Sequence, residues 1–161
     1  MKILILSDSH GSTKLMEDVV AKHENHIECA IFLGDYLEDC KKIATKFSNT
    51  TFHMVPGNCD YYSDLPGDLT IKIGGKRIWI SHGHKASVKS GYDEIVNLAI
   101  VGRADICLFG HTHEAVAFEK NGILFLNPGS ISQPRGVKGK SYAIIEILEG
   151  AVFPKIIEAL R

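Results

Sequence analysis

Five apolar runs in this chain end in the same way, and that recurrence limits the fold more tightly than any single motif. ILIL leads into Ser7-Asp8-Ser9-His10, AIFL into Gly34-Asp35, FHMV into Pro56-Gly57-Asn58-Cys59-Asp60, RIWI into Ser81-His82-Gly83-His84, and CLF into Gly110-His111-Thr112-His113. Each run is short, apolar and bounded by turn residues, as a buried strand is. Each delivers potential metal ligands just past its carboxyl end. In open α/β sheets those ends line the ligand crevice, so groups remote in sequence meet at one edge.

Between the first three runs, at 2–7, 29–33 and 51–55, lie stretches of helical period: Leu15, Met16, Val19, Val20, then Leu37, Cys40, Ala44, Phe47. That is a βαβαβ pattern, which implies a parallel sheet. From Leu69 the pattern changes to strand, Gly74-Gly75 turn, strand, a hairpin. A helix is predicted from about Gly91 to Val101, with Ser90 and Asp93 as a capping box and Gly102 as the C-terminal cap. Tyr92, Ile95, Val96, Ala99 and Ile100 line one of its faces. Strands at about 105–109, 115–119, 122–126, 141–148 and 151–157 follow. So many strands do not lie flat in one sheet. The expected class is therefore α/β with mixed α+β character: one domain over 1–161, a two-sheet β-sandwich flanked by helices in four layers.

A chain of 161 residues buries a sizeable core without help. Its 18 basic and 19 acidic side chains nearly cancel, which removes any global field toward nucleic acid or an anionic membrane. Anion binding then requires a local site, no strong nucleic-acid binding is expected, and self-association stays open. No apolar run approaches the roughly 18 residues of a membrane span, and MKILILSD reaches Asp8 too soon for a signal peptide. Cys29, Cys40, Cys59 and Cys107 form no CxxC pair, so reduced thiols in a cytoplasm are expected, three of them as small core residues. The Gly/Lys/Pro-rich stretch from Pro134 to Lys140 is the one candidate flexible segment.

Taken singly, the strand-end motifs have ordinary structural readings. Asp8-x-His10 suits a βα turn that caps a helix, and Gly34-Asp35 and Pro56-Gly57-Asn58 suit turns. The pairs His82/His84 and His111/His113 weigh toward metal, because period-two spacing puts both imidazoles on one side. The ligand set drawn from them, two aspartates, one asparagine and four histidines without a thiolate, is too many for one ion and about right for two. Manganese, iron, zinc, cobalt and nickel all suit such donors, and magnesium less so. Two divalent ions, two carboxylates and a hydroxide leave a net charge of about +1, which attracts phosphate. Metals about 3.5–4 Å apart suit in-line phosphoryl displacement.

The order Asp-x-His, Gly-Asp, Gly-Asn-x-Asp, His-Gly-His, Gly-His-x-His resembles the calcineurin-like metallophosphoesterase superfamily. Asn127-Pro128-Gly129-Ser130 with Pro134-Arg135 extends the resemblance, over about residues 1–148, to its small single-domain prokaryotic phosphodiesterase branch. The resemblance implies that Asp8, His10 and His113 hold one metal, that Asn58, His82 and His111 hold the other, and that Asp35 bridges them. Two divalent transition ions are implied, manganese foremost, acting on a small phosphodiester. Asn58, Cys59, Asp60 and His111 form the expected catalytic group. Cys59 departs from the family pattern, since many members carry His after the Gly-Asn to meet the phosphate and protonate the leaving group. A thiol is a weak, neutral donor, so activity is expected mainly on diesters with stable leaving groups. His84 and Arg135 are further candidates for substrate contact, while His23, His26 and His53 lie outside the motifs. Two alternatives stand beside this reading: a scaffold like the eukaryotic retromer subunit, which resembles the same small fold but lacks the key histidine, and a metal-dependent phosphomonoesterase or nucleotidase.

Overall fold

A computed structural model describes residues 1–136 and 139–159. Strands β1 (Lys2–Leu6), β2 (Cys29–Phe32) and β3 (Thr51–Met54) alternate with helices α1 (Thr13–His23) and α2 (Leu37–Lys46). The three strands pair in parallel, Ile3 opposite Cys29 and Cys29 opposite Thr51. The hairpin of β4 (Asp68–Ile73) and β5 (Lys76–Ser81) begins a second sheet, followed by α3 (Asp93–Val101), β6 (Ile106–Leu108), β7 (Ala115–Lys120) and β8 (Ile123–Pro128). The chain then returns to the first sheet as the antiparallel pair β9 (Ser141–Leu148) and β10 (Ala151–Glu158). The sheets run β10-β9-β1-β2-β3 and β4-β5-β6-β8-β7.

Side-chain alternation places the core. Ile3 and Ile5 face the second sheet, against Ile78, Ile80, Ile106 and Leu108. Leu4 and Leu6 face the other way, onto Met16 and Val20 of α1 and Cys40 and Ile43 of α2. Both faces of β1 and β2 are covered, which is why they read as unbroken apolar runs. Ile95, Val96 and Ala99 of α3 cover Cys107, Phe109 and Phe125 on the outside of the second sheet. The four expected layers are present, with Cys29, Cys40 and Cys107 inside them. Each fully buried aliphatic side chain contributes about 1.5–3 kcal/mol.

Local chemistry departs from expectation at α3. The helix starts at Asp93 with Tyr92 as N-cap and no side-chain cap hydrogen bond, so the Ser90/Asp93 capping box is not made. Gly91 at φ 146° carries Ser90 out of the cap position, and the Ser90 N–H turns back to the Ser87 carbonyl at 2.8 Å. At the other end Gly102 is the C-cap as expected, with right-handed backbone, and Arg103 after it takes φ 51°. The N–H groups of Arg103 and Ala104 close onto the carbonyls of Ile100 and Ala99, both at 3.0 Å, satisfying the helix end in the Schellman manner. The β4–β5 turn behaves as predicted, with Gly74 and Gly75 at φ 57° and 76°. Of the candidate flexible stretch, 137–138 lie outside the described residues. Among the described residues, no helix is long and apolar enough to cross a membrane.

Candidate metal centre

The first sheet supplies Asp8 and His10 past β1, Asp35 past β2 and Asn58 past β3; the second supplies His82 past β5, with His111 and His113 past β6. Asp8, His10, Asp35 and His113 offer ligand atoms that all lie within 4.8 Å of one another, and so do Asp35, His82 and His111. Asp35 belongs to both groups and divides its oxygens between them. Its Oδ2 is 3.8 Å from His10 Nε2 and its Oδ1 is 3.6 Å from His82 Nε2. Asn58 Oδ1 joins the second group, 3.2 Å from His82 Nε2.

Second contacts fix which ring atoms face inward. His82 Nδ1 donates to the Leu33 carbonyl and His113 Nδ1 to the Gln133 carbonyl, each at 2.7 Å. A carbonyl only accepts, so Nε2 of each ring is left to hold a proton or a metal. His82 Nε2 lies 3.2 Å from His111 Nδ1, and His113 Nε2 lies 3.3 Å from His10 Nε2 and 3.2 Å from Asp8 Oδ1. Lone pairs this close repel unless a proton or a metal ion sits between them. Asp8 Oδ1 is buried, and apart from that His113 contact it has no partner among the described residues, so a cation would satisfy it. Nitrogen and oxygen donors in this number fit borderline divalent ions.

Proton affinities follow the same geometry. Burial, then the charge of His82, pushes His111 down to about 4, so it stands as a neutral ligand near pH 7. His113 moves the other way, because a protonated ring donates to Asp8. Burial opposes ionisation of Asp8, but His113, the charge of His82 and the Ser7 hydroxyl together hold its carboxyl below the usual value.

Five of the seven candidate ligands have left-handed backbone: Asp8 (φ 54°), His10 (42°), Asp35 (61°), His111 (68°) and His113 (62°). Such conformations cost about 1–3 kcal/mol each and persist only where the surroundings enforce them. Ser130 and Ser132 hydroxyls donate to the Asp8 carbonyl at 2.8 and 3.0 Å. Asp39 accepts from Ser9 Oγ at 2.7 Å and from the Gly11 N–H at 2.8 Å. Asn127 Nδ2 donates to the Gly110 carbonyl at 2.8 Å. A Cβ on Gly34 (φ 97°) would strike the backbone of Gly57, so those two strand ends meet only because both residues are glycine.

The other predicted residues divide by role. Asp60 is a positioning residue: Oδ2 accepts from Asp35 N–H at 3.0 Å and Gly57 N–H at 2.8 Å, and Oδ1 from Leu37 N–H at 2.8 Å. Cys59 donates its N–H to Asp35 Oδ1 at 2.8 Å, and its sulfur accepts from Asn58 Nδ2 at 3.6 Å. Burial, then the carboxylates of Asp35, Asp60 and Asp8, push its thiol up to about 11. The His84 ring lies 5.4 Å from that of His82 and 6.1 Å from that of His111, with Nδ1 buried and unpartnered among the described residues. Arg135 lies beside the centre, its N–H on the His113 carbonyl at 3.0 Å and its side chain in a cleft with Lys89 and Glu114. His23 and His26 line a groove by β9 and β10, and His53 sits in β3, so all three stand apart from the ligand groups. Asp39 and Ser132 escaped sequence reading. Asp39 falls four residues after Asp35 in the first turn of α2, where an acid ordinarily serves the helix dipole.

Comparison with known proteins gives the family. Residues 1–150 match the model of the calcineurin-like phosphoesterase superfamily domain. A Bacillus subtilis protein named probable metallophosphoesterase YsnB is 33% identical over 147 residues, covering 91% of this chain and 85% of the relative. Phosphodiesterase YfcE of Escherichia coli K12 is 27% identical over 168 residues, covering 91% of this chain and 88% of its own. The crystal structure of a predicted phosphoesterase from Streptococcus pneumoniae TIGR4 superposes with a TM-score of 0.87 at 31% identity, covering 98% of this chain and 89% of that one. On the match over residues 1–150, its paired sheets and these relatives together, the chain belongs to the calcineurin-like phosphoesterase superfamily.

Proposed function

We propose that this protein is a two-metal phosphodiesterase acting on small phosphodiesters, with manganese foremost among the ions that suit its ligands. The observation that carries the reading is the divided carboxylate of Asp35, one oxygen toward His10 and the other toward His82. Asp8, His10 and His113 would hold one ion with Asp35, and Asn58, His82 and His111 the other. Bound there, divalent ions supply Lewis acidity that lowers the pKa of water and neutralises charge on phosphoryl oxygens. The chain's own side chains do the rest. The Leu33 and Gln133 carbonyls hold the His82 and His113 rings in orientation, so little reorganisation is needed when substrate arrives. Asn58 ligates without adding negative charge, which keeps the centre attractive to phosphate. The Cys59 thiol, neutral near pH 7, gives up its proton poorly, which favours substrates whose leaving groups depart unprotonated.

Metal-stripped and manganese-reloaded protein, offered bis(4-nitrophenyl) phosphate and a panel of monoesters, tests the reading. About two ions per chain and metal-dependent turnover are expected for wild type, with both lost in Asp35→Asn. A full metal complement in that variant overturns the bridge. Absence of metal-dependent turnover on every ester overturns the enzyme and favours the scaffold.

A further inference from the structure

Two carboxylates outside the ligand set brace the strand-end turns, and they brace different ones. Asp60 accepts from the N–H groups of Asp35, Gly57 and Leu37, so it steadies the carboxylate that both ligand groups share. Asp39, buried in the first turn of α2, reaches instead to the turn past β1. Its Oδ2 accepts from Ser9 Oγ at 2.7 Å and from the Gly11 N–H at 2.8 Å, so the residues on either side of His10 are tied to one oxygen. The Ser9 hydroxyl also lies 3.4 Å from the Asp35 carbonyl. Among the described residues, no hydrogen bond of Asp39 reaches Asn58, His82 or His111.

His10 depends on such a brace more than the other ligands do. The His82 and His113 rings are oriented through their own Nδ1 atoms, each on a carbonyl. His10 Nδ1 makes no such bond among the described residues, so its ring is placed by its backbone. That backbone is uncommon, with His10 at φ 42° and Gly11 after it at φ 86°. A Cβ added at Gly11 would meet nothing within 4 Å, so hydrogen bonds rather than packing confine the chain there. Two of them, Ser12 N–H to the Ser9 carbonyl at 2.8 Å and Thr13 N–H to the Gly11 carbonyl at 3.0 Å, only close the turn on itself. The Asp39 bonds tie it to α2, which starts just past Asp35, and so set the spacing between the turns that carry His10 and Asp35. At that spacing His10 Nε2 lies 3.3 Å from His113 Nε2 and 3.8 Å from Asp35 Oδ2.

We infer that Asp39 is a positioning residue for one ion and not for the other. Its carboxylate fixes His10, and with it the position shared by Asp8, His10, Asp35 and His113, while the position at Asn58, His82 and His111 is independent of it. The inference rests on the two-metal reading and adds a residue through which the two positions are separately controlled.

Manganese titration of metal-stripped protein in competition with a chelator, joined to electron paramagnetic resonance of the loaded samples, tests it. Wild type should take up about two ions with the spectrum of a coupled pair. Asp39→Ala should weaken one ion by roughly 10- to 100-fold and spare the other, as loss of the support behind a ligand does, and at intermediate manganese it should show the spectrum of an isolated ion. His10→Ala should give that same spectrum. Because one oxygen makes both bonds, the amide oxygen of Asp39→Asn should restore the pair. Circular dichroism checks folding; if Asp39→Ala does not fold, Ser9→Ala removes one of the two donors and should show a smaller loss at the same ion. Unchanged affinities, equal weakening of both ions, or an Asn variant as weak as the Ala variant overturns the inference. Fewer than two ions in wild type overturns the two-metal reading and this inference with it, whereas two tightly held ions in both wild type and Asp39→Ala overturns this inference alone.

Discussion

Cys59 sits where its N–H steadies the shared carboxylate and its thiol keeps its proton at about 11. Replacing it with histidine places an imidazole that ionises near neutrality at the same strand end. Cys59→His should therefore accelerate esters with poor alkoxide leaving groups by on the order of 100-fold, and nitrophenyl esters far less. The slope of rate against leaving-group pKa, measured over a series of diesters, checks this; a uniform acceleration would mean that the new ring only binds phosphate. Six of the seven candidate ligands, all but Asn58, fall in the two clusters that could hold a metal; the strand pattern brought their motifs to one edge, while the family resemblance chose them from their neighbours. Asp60 was legible as a site residue but not in its role, because nothing in Gly-Asn-Cys-Asp says that the acid will turn back onto the N–H groups of Asp35, Gly57 and Leu37. Asp39 was hidden for a related reason. A buried acid in a first helical turn looks the same in sequence as an exposed one.

At the scale of elements, the site is a set of strand-to-loop turns pressed against one another. Gly34, past β2, and Gly57, past β3, are in such contact that neither accepts a Cβ without moving backbone or Asp35. Gly34→Ala should destabilise the fold by at least about 1–2 kcal/mol, through both the positive φ and the collision. It should also lower metal content, since Asp35 is the next residue. Urea unfolding with metal analysis of the purified variant measures both, and unchanged values would show that the turns have slack. Turn chemistry was readable where the demand was local, as at Gly74-Gly75. It failed at α3, where Ser90 and Asp93 have the spacing of a capping box but Gly91 moves Ser90 away from the helix start. At the other end Gly102 is the C-cap as expected, and the left-handed turn follows one residue later, at Arg103. The parallel pairing of β1, β2 and β3 was readable from the βαβαβ succession, whereas caps depend on single dihedral angles that composition does not fix.

For the molecule as a whole, the histidines tie stability to pH. His111 takes up a proton near 6.5 in an unfolded chain but only near 4 in the folded one, so protons favour unfolding across that interval. Metal-stripped protein should lose stability as pH falls from about 6.5 to about 4, read as a falling urea midpoint. His23, His53 and His84, whose proton affinity burial also lowers, act with the same sign, so His111→Gln should flatten that limb in part. A limb that is unchanged in the variant would show that His111 titrates normally. His113, drawn upward by Asp8, has the opposite sign, and its contribution is present below its ordinary value and lost as pH rises through the raised one. Both ligand groups draw side chains from both sheets: Asp8, His10 and Asp35 with His113, and Asp35 with His82 and His111. Ions seated there would act as rivets through the sandwich, resisting any slip of one sheet over the other. Mechanical integrity and metal content then become one property, and a chain starved of metal would loosen along its central seam before it failed at any single turn.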